Sequence, residues 1–453
     1  MIPARRRSED QTQDPPSPGA AAVWIVPVLA WAFVLSFTRK YSSNVPYWDS
    51  WEFTELIAGV QPLTLGALWK QHNEHRMVFQ TLFEVAMGRY AHWNIYAASF
   101  LPGILFAANS LLLIAGALRA RQSLDSVARA LLVTALTLIL FTFRAHVAFT
   151  YEMVMSWAIL ALAMTAFARY FPPYVETGRG LARLVTILVV AMLSTSQGLA
   201  LAVFVLIVGA CHPLVRGRVE SRLPRSYPWL AAISAALVVV YFVGYVKPAW
   251  HPSVTSVLRH PLDGITYIAV LAGSPFAWDE AWATWIGVGV LSLFAAGLTA
   301  MVSREGWQAL WRFIVGRPLI GTNLIAMSAI MVGRVGFGPG QATASHYVPF
   351  NAVFVVSALL PAFDQLKGRI AQRVVLSVLV VAIIPAWYLG YRNAVDEMTA
   401  RRDPLEAYRE CVLNDPPLLA RCDGSHVYPS PATLVRRATL LKDQNLAFFA
   451  KRD

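Results

Sequence analysis

The fold class this sequence predicts is an all-α, polytopic membrane helix bundle of about eleven transmembrane helices, with interfacial helices in the first exported loop. Three observations predict it. The 453 residues are 57% hydrophobic and only 14% charged, where a soluble domain carries roughly 25% charged residues. Apolar runs long enough to cross a bilayer centre near Leu29, Leu105, Leu136, Leu160, Leu188, Phe204, Val238, Val290, Ile325, Val355 and Val380. Basic residues gather in alternate connections between those runs, as short cytoplasmic loops require.

The basic residues also orient the chain. Arg5, Arg6 and Arg7 precede the first run, and later clusters fall at Arg119 with Arg121, Arg179 with Arg183, Arg216 to Arg225, Arg304 to Arg317 and Lys367 to Arg373. With all of these inside, the N-terminus is cytoplasmic, and the segments 39–95, 144–151, 194–198, 247–282 and 334–347 are exported. The expected organisation is a disordered cytoplasmic leader over 1–20, a transmembrane domain over 21–391 and an exported tail over 392–453. The net charge of +12 is therefore mainly a topology signal and gives no reason to expect nucleic acid. No cleavage site follows the first apolar run, so it is read as a helix and not as a signal peptide.

Cysteine usage fits this orientation. Cys211 ends an apolar run and reads as a core thiol, whereas Cys411 and Cys422 share the exported tail, where oxidation is permitted. A disulfide between them is expected, and it would contribute roughly 2 to 4 kcal/mol to a small tail subdomain.

The charged residues that remain are concentrated in the first exported loop. Pro46-Tyr47-Trp48-Asp49-Ser50-Trp51-Glu52 follows the first helix, and Gln71-His72-Asn73-Glu74-His75-Arg76 comes about twenty residues later. Apolar residues at Leu65, Leu68, Trp69, Val78, Phe79, Leu82 and Phe83 recur as in helices lying along a membrane interface. On such a helix His72, His75 and Arg76 project from one face. The blander reading makes this an interfacial anchor with Asp49 as a helix cap. No repeat, Walker loop, Rossmann fingerprint, HExxH or CxxC pair is present, so nucleotide-driven pumps and zinc proteases lack their usual sequence support.

These residues carry a resemblance. Asp49-Ser50-Trp51 with Leu68-Trp69-Lys70-Gln71-His72-Asn73-Glu74-His75-Arg76 resembles a group of bacterial membrane proteins of the GT-C superfamily, glycosyltransferases that use polyprenyl-phosphate-linked sugars. The similarity extends through Tyr151-Glu152 with Trp157, Ser194-Thr195-Ser196-Gln197-Gly198-Leu199, and Gly333 to Gln341-Ala342, covering roughly residues 20–365. Two departures stand out. The group usually has two adjacent acids before the Trp, where Ser50 follows the single Asp49, and an Arg in a Ser-Arg-Tyr element, where Ser345-His346-Tyr347 has His.

The resemblance implies a sugar transfer from a polyprenyl-phosphate donor to a glycan or lipid acceptor, at the outer face of a bacterial inner membrane. Asp49 would be the base for the acceptor hydroxyl. Arg76 and Arg334 would together hold the lipid phosphate. His75 would donate to the same oxygens, and Glu74 and Glu152 would hold the cations, or one of them would hold a divalent metal ion with Asp49. No cofactor is firmly implied. Glu52, His72, Gln197, Gln341 and His346 complete the expected substrate-binding set.

Structural alternatives stand beside these roles. In them Arg334 is an interfacial arginine at a helix end, Gly336 to Tyr347 a tight connection, and Arg144 with His146 packing. Two other functions fit the same composition: a lipid or oligosaccharide flippase or transporter, which two-fold hydropathy symmetry and mid-depth charges would favour and neither of which stands out here, and a non-catalytic envelope assembly protein.

Overall fold

The computed structural model describes residues 21–215, 222–414 and 421–450. The leader 1–20 and Arg216 lie outside the described residues. Within them the chain is a polytopic helical bundle, with no strand beyond a bridge pairing His72 with His75.

Eight helical segments are long and apolar enough to cross a membrane among the described residues. Three more of the expected runs form shorter helices, Ile25–Tyr41, Leu181–Met192 and Tyr227–Phe242. A further helix, Pro261–Gly273, lies in a segment read from sequence as a loop. Its 13 residues span about 20 Å, short of the roughly 30 Å of hydrocarbon. It packs closely on Glu280–Glu305. The helix starts follow local chemistry. Asp125 and Asp279 accept from the backbone N–H groups of Ala128 and Trp282 at 3.0 and 3.1 Å, while Pro261 and Pro318 open helices where no N–H is needed. Large apolar side chains such as Leu112, Val239, Leu293 and Val381 remain on the outside of the bundle, where lipid replaces water as their solvent.

The last long helix, Arg369–Asn414, has 46 residues and so runs about 69 Å, more than twice the hydrocarbon thickness. There is no break at 391/392. Its far half carries Leu405, Tyr408 and Val412 into a second core with Val45, Trp51, Phe53 and Trp93 of the first loop and Leu434 and Leu441 of the helix Pro431–Asp443. Cys411 and Cys422 are bonded beside it, with Cα atoms 5.9 Å apart. The tail is therefore a cap on the first loop.

Close backbone approach sets one corner of the charged end. A Cβ on Gly198 would lie 1.9 Å from the Ala191 carbonyl oxygen, so only glycine lets the turn Ser196–Gly198 lie against Leu181–Met192. Gly198→Ala is expected to lower stability by about 1 to 3 kcal/mol through overpacking. Gly333→Ala, where an added Cβ meets nothing within 4 Å, should leave the thermal midpoint in detergent unchanged or slightly raised. Equal midpoints for the two variants would refute this account of the corner.

Candidate functional site

Asp49 lies on the short 3-10 helix Trp48–Phe53, and both its neighbours are anchored. The Trp48 N–H donates to the Val427 carbonyl at 3.0 Å, and the Ser50 hydroxyl donates to the buried Glu152 carboxylate. The Asp49 side chain itself is 43% exposed, so it is held from behind and open in front.

The stretch after Trp69 is not helical. The first interfacial helix ends at Trp69 and the next begins at Val78. Between them His72 and His75 exchange backbone hydrogen bonds of 2.9 and 2.8 Å, with Asn73 left-handed at φ 50°, a conformation asparagine tolerates well. The one-face helical arrangement expected for His72, His75 and Arg76 is thus replaced by a tight turn that sends each side chain in a different direction.

His72 lies between two carboxylates, with Nε2 3.3 Å from Asp49 and Nδ1 3.3 Å from Glu52. Burial disfavours its charge, but the hydrogen bonds and charges of Asp49 and Glu52 outweigh burial and lift the imidazole to about 9. His75 is the opposite case. The Ser196 N–H donates to its Nδ1 at 3.2 Å, which makes Nδ1 an acceptor, and burial pushes the imidazole down to about 4. It is therefore neutral at pH 7, with its remaining N–H on Nε2, 3.6 Å from Glu74.

Glu74 is bound by Nη2 of Arg334 and lies 3.4 Å from Nε2 of His251. Burial would raise its carboxyl, yet the charges on His75 and Arg334 hold it down at about 2. Since His75 is neutral at pH 7, Arg334 is the cation that matters there. Arg334 ends the helix Pro318–Arg334, its guanidinium 5.6 Å from the Trp250 ring centroid. Among the described residues its only hydrogen bond is the one from Nη2 to Glu74.

Arg76 does not join it. Its guanidinium donates to the carbonyls of Trp69, Tyr241 and Val243 at 2.5, 3.1 and 2.8 Å and stacks on Trp69. Three backbone acceptors and a ring leave it no open face, so the expected shared anion site of Arg76 and Arg334 does not form. Glu152 likewise accepts from Ser50 and pairs with neither Arg76 nor Arg334.

Two cavities meet at Arg334. One, about 530 Å³, is mainly apolar, with Val203, Val238, Phe242, Ile325 and Val332 along it and Glu74, Gln197, Lys247 and His251 at its polar end. The other, about 250 Å³, holds Asp49, His72, His75, Trp157, Trp250 and His346. Arg334 lines both. Gln341 lines neither and accepts a 2.5 Å hydrogen bond from Tyr267. Arg144 is buried on the carbonyls of Ser274, Ala277 and Thr343, and His146 pairs with Glu397 at 2.9 Å.

Sequence reading passed over Lys247, Trp250 and His251, although Lys247-Pro-Ala-Trp-His-Pro shows the same mix of aromatic and basic residues as the first loop. A divalent metal does not fit the acids well. Glu74 is engaged by Arg334 and Glu152 by Ser50, and no three His, Cys, Asp or Glu side chains among the described residues form a group that would hold one.

No family model matches the chain, and no curated protein matches it. Among solved structures it is similar to ArnT from Cupriavidus metallidurans bound to undecaprenyl phosphate, at 15% identity and a TM-score of 0.41, covering 95% of this chain and 77% of that one. A likeness at this level assigns neither residue roles nor ligands.

The His72 clamp has a pH signature. A group raised from 6.5 to about 9 on folding stabilises fully below 6.5, and that stabilisation is lost as pH rises through 9. The stability gap between the native chain and His72→Gln should therefore be largest near pH 6 and small near pH 10, followed as thermal midpoints. A gap independent of pH would show that His72 is not a charged clamp.

Proposed function

We propose that the chain is a membrane glycosyltransferase of GT-C type that moves a sugar from a polyprenyl-phosphate donor to a cell-envelope acceptor at the outer face of the bacterial inner membrane. One observation carries the reading: a largely apolar cavity among the helices and a smaller, less apolar cavity containing Asp49 share one lining residue among those described, the cation Arg334. The sequence resemblance of the first loop supports it independently.

In this reading the prenyl chain lies along Val203, Val238, Phe242 and Ile325, and its phosphate meets Arg334 and Lys247. Arg334 keeps donors beyond the one engaged with Glu74, as a charge-assisted phosphate contact needs. The sugar occupies the space beside Trp157, Trp250 and His346. Asp49 takes the proton of the acceptor hydroxyl, that oxygen bonds to the anomeric carbon, and the bond from that carbon to the phosphate oxygen breaks. The leaving polyprenyl phosphate keeps the electron pair, and Arg334 stabilises its charge. Attack opposite the leaving group inverts the anomeric centre. Protonated His72 orients Asp49 and takes no proton itself. No step is assigned to a metal.

Asp49→Asn keeps size and removes the base, so transfer is expected to fall by about 10²- to 10⁴-fold while expression is kept and the loss of detergent stability does not exceed that of His72→Gln, whose pairing with Asp49 it removes. Envelope glycans compared by mass spectrometry between native, Asp49→Asn and deletion strains provide the measurement, with Glu52→Gln as a second carboxylate. Loss with Glu52→Gln and not with Asp49→Asn would mean that the wrong acid is assigned. A deletion strain whose envelope glycans match its parent's would remove the enzymatic reading and favour the assembly protein.

A further inference from the structure

A third cavity, about 710 Å³, lies away from the two at Arg334 and shares no lining residue with either. It opens immediately past the end of the helix Ile25–Tyr41, between Arg39 and Ser42 to Asn44 on one side and Arg402, Glu406 and Arg409 of the long tail helix on the other. The chain segment at Ala447 closes a further side, its N–H donating to the His92 carbonyl at 2.7 Å. The packed second core, with Trp51, Trp93, Tyr408 and Phe448, supports these walls.

Its polar groups are incompletely satisfied, and in one sense. Three arginines face one carboxylate in the lining. Glu406 is used twice already, by the Ser43 hydroxyl at 2.7 Å and Arg409 Nη1 at 3.0 Å. Arg39 and Arg402 form no ion pair among the described residues, and the buried Nε atoms of Arg402 and Arg409 have no hydrogen-bond partner. The Ser42 hydroxyl, on a residue only 6% exposed, is also buried without a partner. Buried donors are rarely left unpaired, and here the unpaired groups are guanidinium N–H and hydroxyl in one cleft. A volume of this size exceeds a lone phosphate and suits a small polar ligand.

We infer that this cleft is a second anion site that binds a phosphate ester of headgroup size, with Arg39 and Arg402 supplying the charge and Ser42 a buried hydroxyl donor. With the helix Ile25–Tyr41 as the first crossing expected from the sequence, the cleft at its end falls at headgroup depth, where a phospholipid can enter sideways and a soluble phosphate ester from the aqueous side. The chemistry recognised is the same.

The full-length protein is reconstituted in nanodiscs of equal phosphatidylcholine and phosphatidylglycerol, released into mild detergent, and the phosphatidylglycerol retained is counted by native mass spectrometry. Binding of glycerol phosphate to lipid-depleted protein is measured in parallel by calorimetry. Arg402→Gln, which leaves the Glu406 to Arg409 pair intact, and Ser42→Val should each weaken binding about tenfold, the order expected for one hydrogen bond to a charged group. Arg334→Gln, which removes the phosphate ligand of the other cavity, separates any ligand held there from the cleft's. Retention of phosphatidylglycerol without glycerol phosphate binding identifies a lipid headgroup, and the converse identifies a soluble ester. The inference is overturned by binding in neither arm, by equal binding in native and both cleft variants, or by loss with Arg334→Gln alone, which would assign the ligand to the other cavity.

Discussion

The ion pair between Glu74 and Arg334 is the contact on which the charged end of this molecule depends. Its partners are separated by 260 positions, and their side chains are only 15% and 13% exposed. Breaking a buried pair leaves a charge that costs about 3 to 5 kcal/mol, so the first loop cannot leave the bundle cheaply. The pair does not act alone. His75, next to Glu74, docks on Ser196, and Arg76 docks on the carbonyls of Tyr241 and Val243. Three consecutive residues thus grip three different helix ends. That grip converts a connecting loop into a wall shared by two cavities.

Two histidines three positions apart are given opposite charge states by their surroundings. His72 is flanked by two carboxylates and is held protonated; His75 receives a backbone N–H and is held neutral. Were His75 charged, it would compete with Arg334 for Glu74. Kept neutral, it leaves one cation at the junction of the cavities. In the proposed reaction this keeps the positive charge where the leaving phosphate forms, and keeps the His72 cation beside the base, where it fixes the carboxylate's orientation.

The bundle was legible because crossing length and apolar content are properties of single segments: each of the eleven expected runs corresponds to a helix. Pro261–Gly273 was passed over because its 13 residues fall below the length by which a crossing is recognised. The first loop stood out because charge is rare elsewhere in the chain, and Asp49, His72, His75, Arg334 and His346 do line one cavity. What failed was geometry within the loop. A helix and a turn both bring His72 near Arg76, and only the left-handed Asn73 decides between them. The fate of Arg76 was equally hidden, since two of its three acceptors are main-chain carbonyls about 165 residues away and carbonyls have no sequence signature.

The tail shows how a segment outside the bundle governs the position of Asp49. Val427 accepts the N–H of Trp48, and Arg401 stacks on Tyr47 and Tyr151 at 4.1 and 4.7 Å, with Tyr151 donating to the Tyr47 carbonyl at 2.9 Å. Two residues on one side of Asp49 are therefore held by the tail, and Ser50 on the other side by Glu152. A displacement of about 1 Å in a reacting group costs on the order of 10²-fold in rate. In the proposed reaction the tail thus acts on the base through the backbone, without touching substrate, and the cross-link from Cys411 to Cys422 belongs to the frame that sets the carboxylate's place.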